Sequence, residues 1–95
     1  MDHYQLFIDG AWCDGADGQV METLNPATGA PWATLACAAP ADVDRAIAAA
    51  SRAVDDPAWR DMTQTARGKL LFRLAELVEQ NAALLGQLEP SDSGT

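Results

Sequence analysis

The sequence predicts an α+β segment in which N-terminal β-hairpins are followed by two to three helices. Three observations lead to this prediction. Near the N-terminus, alternate positions carry apolar side chains that would lie on one face of a strand. Glycines and prolines then punctuate residues 9–31 as turn residues. Beyond residue 40, apolar residues recur every three to four positions, which is the period of a helix.

The strands are predicted within residues 4–37. Along YQLFIDGAW, the side chains of Tyr4, Leu6 and Ile8 fall on one face, and Asp9-Gly10 offers a two-residue hairpin turn. A polar, glycine-rich stretch, CDGADGQ, is predicted to be a loop. Two more strands are predicted at 20–24 (VMETL) and 32–37 (WATLAC).

The stretch LNPATGAP at 24–31 is predicted to connect the last two strands as a hairpin. Pro26 fixes its own φ and lacks an amide donor, and Gly29 can adopt a left-handed conformation. Asn25 can hydrogen-bond to the backbone two residues further on. A turn explains this stretch fully without assigning it any chemistry.

The first helix is predicted at about 41–54. Its apolar positions fall on one helical face, with Pro40 suited to the first helical position. Asp42 and Asp44 favour the positive end of the helix. Position 39 is alanine, so the helix lacks a side-chain N-cap.

A second helix is predicted at 64–80 with Thr63 as its cap, and a third at 82–89. Gly68 within the second helix destabilises that helix by about 1 kcal/mol relative to alanine. This cost is tolerable if another part of the molecule packs closely against it. Pro90 is expected to end the third helix, leaving SDSGT as a loop. The apolar faces of these helices are too extensive for so small a chain to cover alone.

Charge and composition exclude several classes of partner. Six basic and fourteen acidic residues give a net charge of −8, which argues against nucleic acid and anionic membranes. No apolar run reaches the ~20 residues of a membrane span, and the N-terminus does not resemble a secretory signal. A cytoplasmic location with reduced thiols is therefore expected.

No complete active site is visible in the sequence. Cys13 and Cys37 form no CxxC and lack a neighbouring basic motif, and with His3 as the sole histidine a zinc site is not expected. His3 is expected to be solvated near the terminus. There is no GxGxxG and no P-loop. We therefore assign no catalytic and no cofactor-binding residue to the chain.

Taken in order, four pieces of the sequence resemble the N-terminus of the NAD(P)-dependent aldehyde dehydrogenase superfamily. These are LFIDGAW, the Asn-Pro-Ala-Thr-Gly turn, the Asp-Val-Asp-Arg-Ala step of the first helix, and the final Leu-Glu-x-x-Asp-x-Gly element. The resemblance covers nearly all of the chain.

The resemblance implies that residues 1–95 are the first part of the α/β cofactor-binding domain, with the catalytic domain absent. In the family, a cysteine thiolate attacks an aldehyde, hydride passes to NAD or NADP, and a glutamate assists hydrolysis of the thioester. These residues and the cofactor loop lie further along in family members. Neither Cys13 nor Cys37 matches the family nucleophile.

The resemblance also implies a possible sodium or potassium site. In several family members, the ligands include the backbone carbonyls of the two residues before the Asn-Pro turn and the Asp of the final element. Those positions are Thr23, Leu24 and Asp92, and hard cations bind clustered oxygens of this kind. Pro90 and Ala39 depart from the usual family pattern at these elements.

The sequence leaves three interpretations open. In the first, the chain is the N-terminal portion of an enzyme that oxidises aldehydes, its partners being the remainder of that chain or sister subunits in a homo-oligomer. In the second, it is a stand-alone docking or assembly module that binds a full-length relative. In the third, it is a small unrelated α+β domain. The coding DNA beyond Thr95 helps to separate the first two, since a continuing reading frame favours a truncated enzyme chain, whereas a stop codon favours either one piece of a split enzyme or the docking module.

Overall fold

The computed structural model describes residues 1–93 and confirms the predicted order of strands followed by helices. Five strands precede four helices: β1 Asp2–Tyr4, β2 Leu6–Ile8, β3 Ala11–Cys13, β4 Val20–Leu24, β5 Pro31–Ala36, α1 Pro40–Asp55, α2 Pro57–Arg60, α3 Gln64–Gln80 and α4 Ala82–Ser93.

The strands form two separate sheets. In the three-stranded sheet the order is β1-β5-β4, so β5 is central; β1 runs parallel to it and β4 antiparallel. β2 and β3 form an antiparallel hairpin of their own. The strand predicted across Tyr4 to Ile8 is therefore interrupted at Gln5. The reason is non-local, since β1 pairs with β5 while β2 pairs with its sequence neighbour.

The two predicted turns are confirmed. Asp9 and Gly10 have φ values of 53° and 75°, both left-handed, as a two-residue hairpin turn of type I′ requires. At the second turn, the Asn25 side-chain oxygen accepts from the amide of Ala27 at 2.9 Å, and Gly29 has a φ of 70°. The short helix α2 was not predicted. Its N-cap is Asp56, whose carboxylate accepts from the amide of Ala58.

The third predicted helix does not end at Pro90. α4 continues through this proline to Ser93, so the prediction of a loop over residues 91–93 is wrong; the rest of that loop, residues 94–95, lies outside the described residues. Pro90 has no amide hydrogen and so removes one backbone hydrogen bond from the helix. Because it lies close to the end of α4, only the last turn is affected. The hydroxyls of Ser91 and Ser93 donate to the carbonyls of Gln87 and Glu89, four positions earlier in the same helix.

Little of the chain is buried. In the part that the structure describes, three residues are buried: Gly15 in the loop after β3, Ala33 on the central strand and Asp42 in α1. The molecule measures 48 × 34 × 15 Å, and leucines and valines of α1, α3 and α4 remain about half exposed. This confirms that the apolar faces exceed what the chain covers. Within residues 1–93, no helix combines the length and apolarity needed to span a bilayer.

Candidate functional site

The predicted ion-site residues Thr23 and Asp92 are in direct contact. The Thr23 hydroxyl donates to a carboxylate oxygen of Asp92 at 2.9 Å, joining the end of β4 to the last turn of α4. The continuation of α4 past Pro90 places Asp92 in this helix, where the sequence had predicted a loop. Leu24 follows Thr23 at a register irregularity between β4 and β5 and is 51% exposed.

The oxygen atoms at this position fit a hard cation in type. A carboxylate and a threonine lie within hydrogen-bonding distance, and cations such as sodium and calcium prefer oxygen ligands. No cluster of three or more His, Cys, Asp or Glu side chains suited to a metal occurs within residues 1–93. Any ion here would therefore need backbone carbonyls besides Asp92, as the family pattern implies for Thr23 and Leu24.

Thr23 and Asp92 lie at the edge of a cleft between the three-stranded sheet and α4. The cleft has a volume of about 370 Å³, and its walls are mainly apolar. Tyr4 and Trp32 meet edge to face there, with their ring centroids 6.1 Å apart. The Trp32 indole nitrogen is buried and has no hydrogen-bond partner among the described residues. Eight residues line the cleft: Tyr4, Thr23, Trp32, Leu35, Leu85, Leu88, Glu89 and Asp92.

Asp42 is the most connected side chain of the structure, and sequence reasoning missed its role. One carboxylate oxygen accepts from the amides of Ala16 at 2.9 Å and Ala39 at 2.8 Å, and the other accepts from the Arg45 guanidinium at 2.8 Å. The sequence had assigned Asp42 to the helix dipole alone. A clue was available, because an acidic residue three positions after the N-cap is the second half of a capping box.

The hydrogen bonds to Asp42 stabilise its ionised form. The bond from the Ala16 amide contributes most, followed by those from Arg45 and Ala39, and together they lower the pKa of Asp42 to about 2. The same contact raises the pKa of Arg45. Asp42 thereby links the loop after β3, the chain entering α1 and the first turns of α1 into one unit.

Gly15 is required for this close approach. A Cβ atom placed at Gly15 would lie 2.0 Å from the carbonyl oxygen of Cys37, which is far inside van der Waals contact. The loop after β3 therefore lies directly against the chain that leads into α1. Only a residue without a side chain allows the Ala16 amide to reach Asp42.

The cysteines differ in their surroundings. Both are free thiols of intermediate exposure, and the Arg45 guanidinium lies 3.7 Å from the Cys13 sulfur. The sequence shows no basic motif beside either cysteine, and the fold brings Arg45 to Cys13 from 32 positions away. Arg45 is already bound to Asp42 and does not accept protons, so it does not supply the base that a thiol nucleophile requires.

His3 is not simply solvated, as the sequence suggested. One ring nitrogen lies 2.7 Å from the Thr34 hydroxyl, and the other lies 2.9 Å from a carboxylate oxygen of Asp14. The contact with His3 is the main cause that lowers the pKa of Asp14. His3 therefore joins β1 and β5 to the loop that follows β3. These contacts could not be predicted from the sequence, because His3 and its partners lie 31 and 11 positions apart.

Comparison with known proteins gives a consistent result over nearly the whole chain. Residues 12–95 match the model of the aldehyde dehydrogenase family. The chain is 44% identical over 94 residues to (Z)-2-((N-methylformamido)methylene)-5-hydroxybutyrolactone dehydrogenase of Acinetobacter baylyi, covering 99% of this chain and 19% of that protein. It is 48% identical over 88 residues to betaine aldehyde dehydrogenase 1 of Rhizobium meliloti, covering 93% of this chain and 18% of the relative.

Solved structures agree with the sequence relatives. A crystal structure of betaine aldehyde dehydrogenase from Staphylococcus aureus, in complex with NAD+, superimposes with a TM-score of 0.90 at 30% identity, covering 96% of this chain and 18% of that one. A putative aldehyde dehydrogenase from Burkholderia cenocepacia gives 0.84 at 45% identity, covering 93% and 18%. The chain thus spans less than a fifth of the length of these relatives.

Proposed function

Since this chain belongs to the aldehyde dehydrogenase family, we propose that it forms the N-terminal portion of an enzyme that oxidises an aldehyde to a carboxylic acid with NAD or NADP. The strongest support is that nearly the entire chain matches these enzymes in sequence and in backbone structure. The matched part is less than a fifth of the length of each enzyme. We further propose that the enzyme is a homo-oligomer located in the cytoplasm.

Within this enzyme, we propose that the present residues contribute structure rather than chemistry. Among residues 1–93, neither thiol contacts a histidine or carboxylate that could activate it, and His3 is engaged with Thr34 and Asp14. When bound, NAD or NADP supplies the acceptor for the hydride. We assign no residue of this chain to the cofactor. Its proposed role is to present the sheet edge and the helix faces on which further polypeptide packs.

We also propose that Thr23, Leu24 and Asp92 hold a sodium or potassium ion in the enzyme. The support is the 2.9 Å contact between Thr23 and Asp92, which brings a strand end and a helix end together across 69 positions of sequence. The ion would neutralise the carboxylate and would tie β4 to α4. Its proposed function is structural, because no reactive group of the described chain lies beside it.

The proposed activity is tested by comparing two purified samples. One is the 95-residue chain alone, and the other is the polypeptide that its source organism makes with this segment in place. Both are incubated with NAD+ or NADP+ and a panel of aliphatic and aromatic aldehydes while reduced cofactor is followed by absorbance. We expect turnover in the second sample only. If the native product is this short chain and it copurifies with a full-length relative, the docking-module interpretation replaces the proposal.

A further inference from the structure

The chain exposes far more surface than a compact protein of its mass. Its accessible surface is 7121 Å², whereas a compact 10.1 kDa protein exposes about 5,300 Å². The excess of roughly 1,800 Å² exceeds the ~800 Å² per partner that a standard protein interface buries. Interfaces of this larger size include those of permanent complexes.

Part of this surface is a groove along α1, which we call the α1 groove. Two cavities of about 410 and 400 Å³ share Ala50 and follow the helix from the β2–β3 hairpin to α2. Its larger side chains are well exposed, with Val43 at 48%, Ile47 at 64% and Val54 at 63%. Phe7 of β2 and Trp59 of α2 mark its two ends.

The charges around the α1 groove specify what can bind there. An α-helix turns by 100° per residue, which places Asp44 and Asp55 on one side of the row of apolar residues of α1 that lines the groove. Arg45 and Arg52 fall on the opposite side of α1, where each is paired with an aspartate. Along α1 the groove therefore has an acidic flank with no basic side chain of that helix beside it, while Arg67 of α3 lies over the Trp59 ring at the α2 end, 4.7 Å from its centroid. A second copy of the chain would bring two acidic flanks and two net charges of −8 together.

We propose that the α1 groove binds an amphipathic helix whose flanks carry lysine or arginine, supplied by further polypeptide of the enzyme. The source of this helix rests on the proposed function, whereas its chemistry rests on the shape and charge of the groove. Leucine-like side chains one helical turn apart would fill the spaces above Ala46 and Ala50, between Val43, Ile47 and Val54. The basic flank would face Asp44 and Asp55.

The probe for this proposal is a synthetic helical peptide as long as α1, with leucine at positions i, i+3, i+4 and i+7 and lysine elsewhere. A second peptide has glutamate in place of every lysine. Each is titrated into the isotopically labelled 95-residue chain, and amide chemical shifts are followed by NMR. Ile47→Asp tests the groove. Phe72→Asp is the matched control, because it adds the same charge at an apolar side chain of α3 that is 76% exposed.

We expect the lysine peptide to shift amides of the α1 groove with saturation and to bind at least tenfold more weakly to Ile47→Asp. Phe72→Asp should bind like the unsubstituted chain, and the glutamate peptide at least tenfold more weakly. Circular dichroism checks folding, and intermolecular NOEs to Ile47 in the unsubstituted chain provide evidence that needs no variant. Shifts confined to α3 or α4, equal weakening by both variants, or a dimer closed through α1 would overturn the proposal. Aldehyde oxidation plays no part in this experiment, so failure of binding leaves the proposed activity to its own assay.

Discussion

The Asp42 carboxylate and the Ala16 amide meet at 2.9 Å across 26 positions of sequence, and Asp42 is fully buried where they meet. This contact fixes the loop after β3 against the start of α1. The Ala39 amide and the Arg45 guanidinium complete the set of donors around the same carboxylate. In a chain with so little buried surface, this polar cluster is one of the few buried contacts that join separate elements of the fold.

We predict that Asp42→Ala lowers the melting temperature on the order of 10 °C, because it leaves two amides and a guanidinium without their acceptor. Asp44→Ala is the control, since Asp44 lies in the same helix turn but is exposed. That variant should melt within a few degrees of the unsubstituted chain. The measurement is thermal unfolding followed by circular dichroism at neutral pH. Similar losses in both variants would contradict a special role for Asp42.

Acid should destabilise the chain through the same carboxylate. The folded-state pKa of Asp42 is about 2, below its ordinary value of 3.8. A depressed folded pKa means that the stabilisation is fully present above pH 3.8 and is lost as pH falls towards 2. The lowered pKa of Asp14 acts with the same sign. Urea unfolding of the unsubstituted chain between pH 5 and pH 2 should show this loss. In Asp42→Asn the dependence should be shallower, and an unchanged slope would show that other carboxylates dominate.

Two glycine substitutions should have opposite effects. Gly15→Ala places a methyl group 2.0 Å from the Cys37 carbonyl oxygen, so it should strongly destabilise the fold and displace the loop. A Cβ at Gly68 meets no heavy atom within 4 Å, so no close packing partner among the described residues offsets the cost of this glycine. Gly68→Ala should therefore stabilise α3 by about 1 kcal/mol. Denaturant unfolding of both variants measures the two effects, and destabilisation by Gly68→Ala would indicate that α3 is covered in solution.

The cation proposal predicts that sodium or potassium stabilises the enzyme that contains this segment. At a concentration about 100 times the dissociation constant, the expected gain is about 2.7 kcal/mol. Asp92→Ala should remove this gain, whereas Asp44→Ala should retain it. The readout is the melting temperature in sodium, potassium and choline chloride at equal ionic strength. The assignment fails if both variants respond to the three salts alike.

Local chemistry made much of the fold predictable. The left-handed pair Asp9-Gly10, the Asn25 turn and the Thr63 cap, whose hydroxyl accepts from the Ala66 amide at 3.1 Å, depend on neighbouring residues alone. Arg73 and Glu76, which lie one helical turn apart, also form an ion pair at 3.1 Å. These features follow from backbone and side-chain properties within a few positions, which a single sequence displays directly.

Contacts between distant residues were not predictable in the same way. The parallel pairing of β1 with β5, the partners of His3 and the amide donors of Asp42 all bring together residues that no periodicity connects. The family resemblance alone suggested that Thr23 and Asp92 lie near each other, as ligands of one ion, and it did not predict the hydrogen bond between their side chains. Composition alone would have left that aspartate as a solvated loop residue. The rule that a proline ends a helix usually holds, but it gave a wrong prediction at Pro90, which lies inside α4.

The position of β1 also has a consequence for the order of events during synthesis. β1 is synthesised before its partner β5, which follows 31 positions later, as the pair His3 and Thr34 shows. The β2–β3 hairpin needs only its own neighbouring residues and can close while β5 is still being translated. The residues of β1 therefore lack their strand partner until β5 has been synthesised. A bulky fusion placed before Met1 would be present during that interval, next to an edge strand whose partner in the sheet is β5.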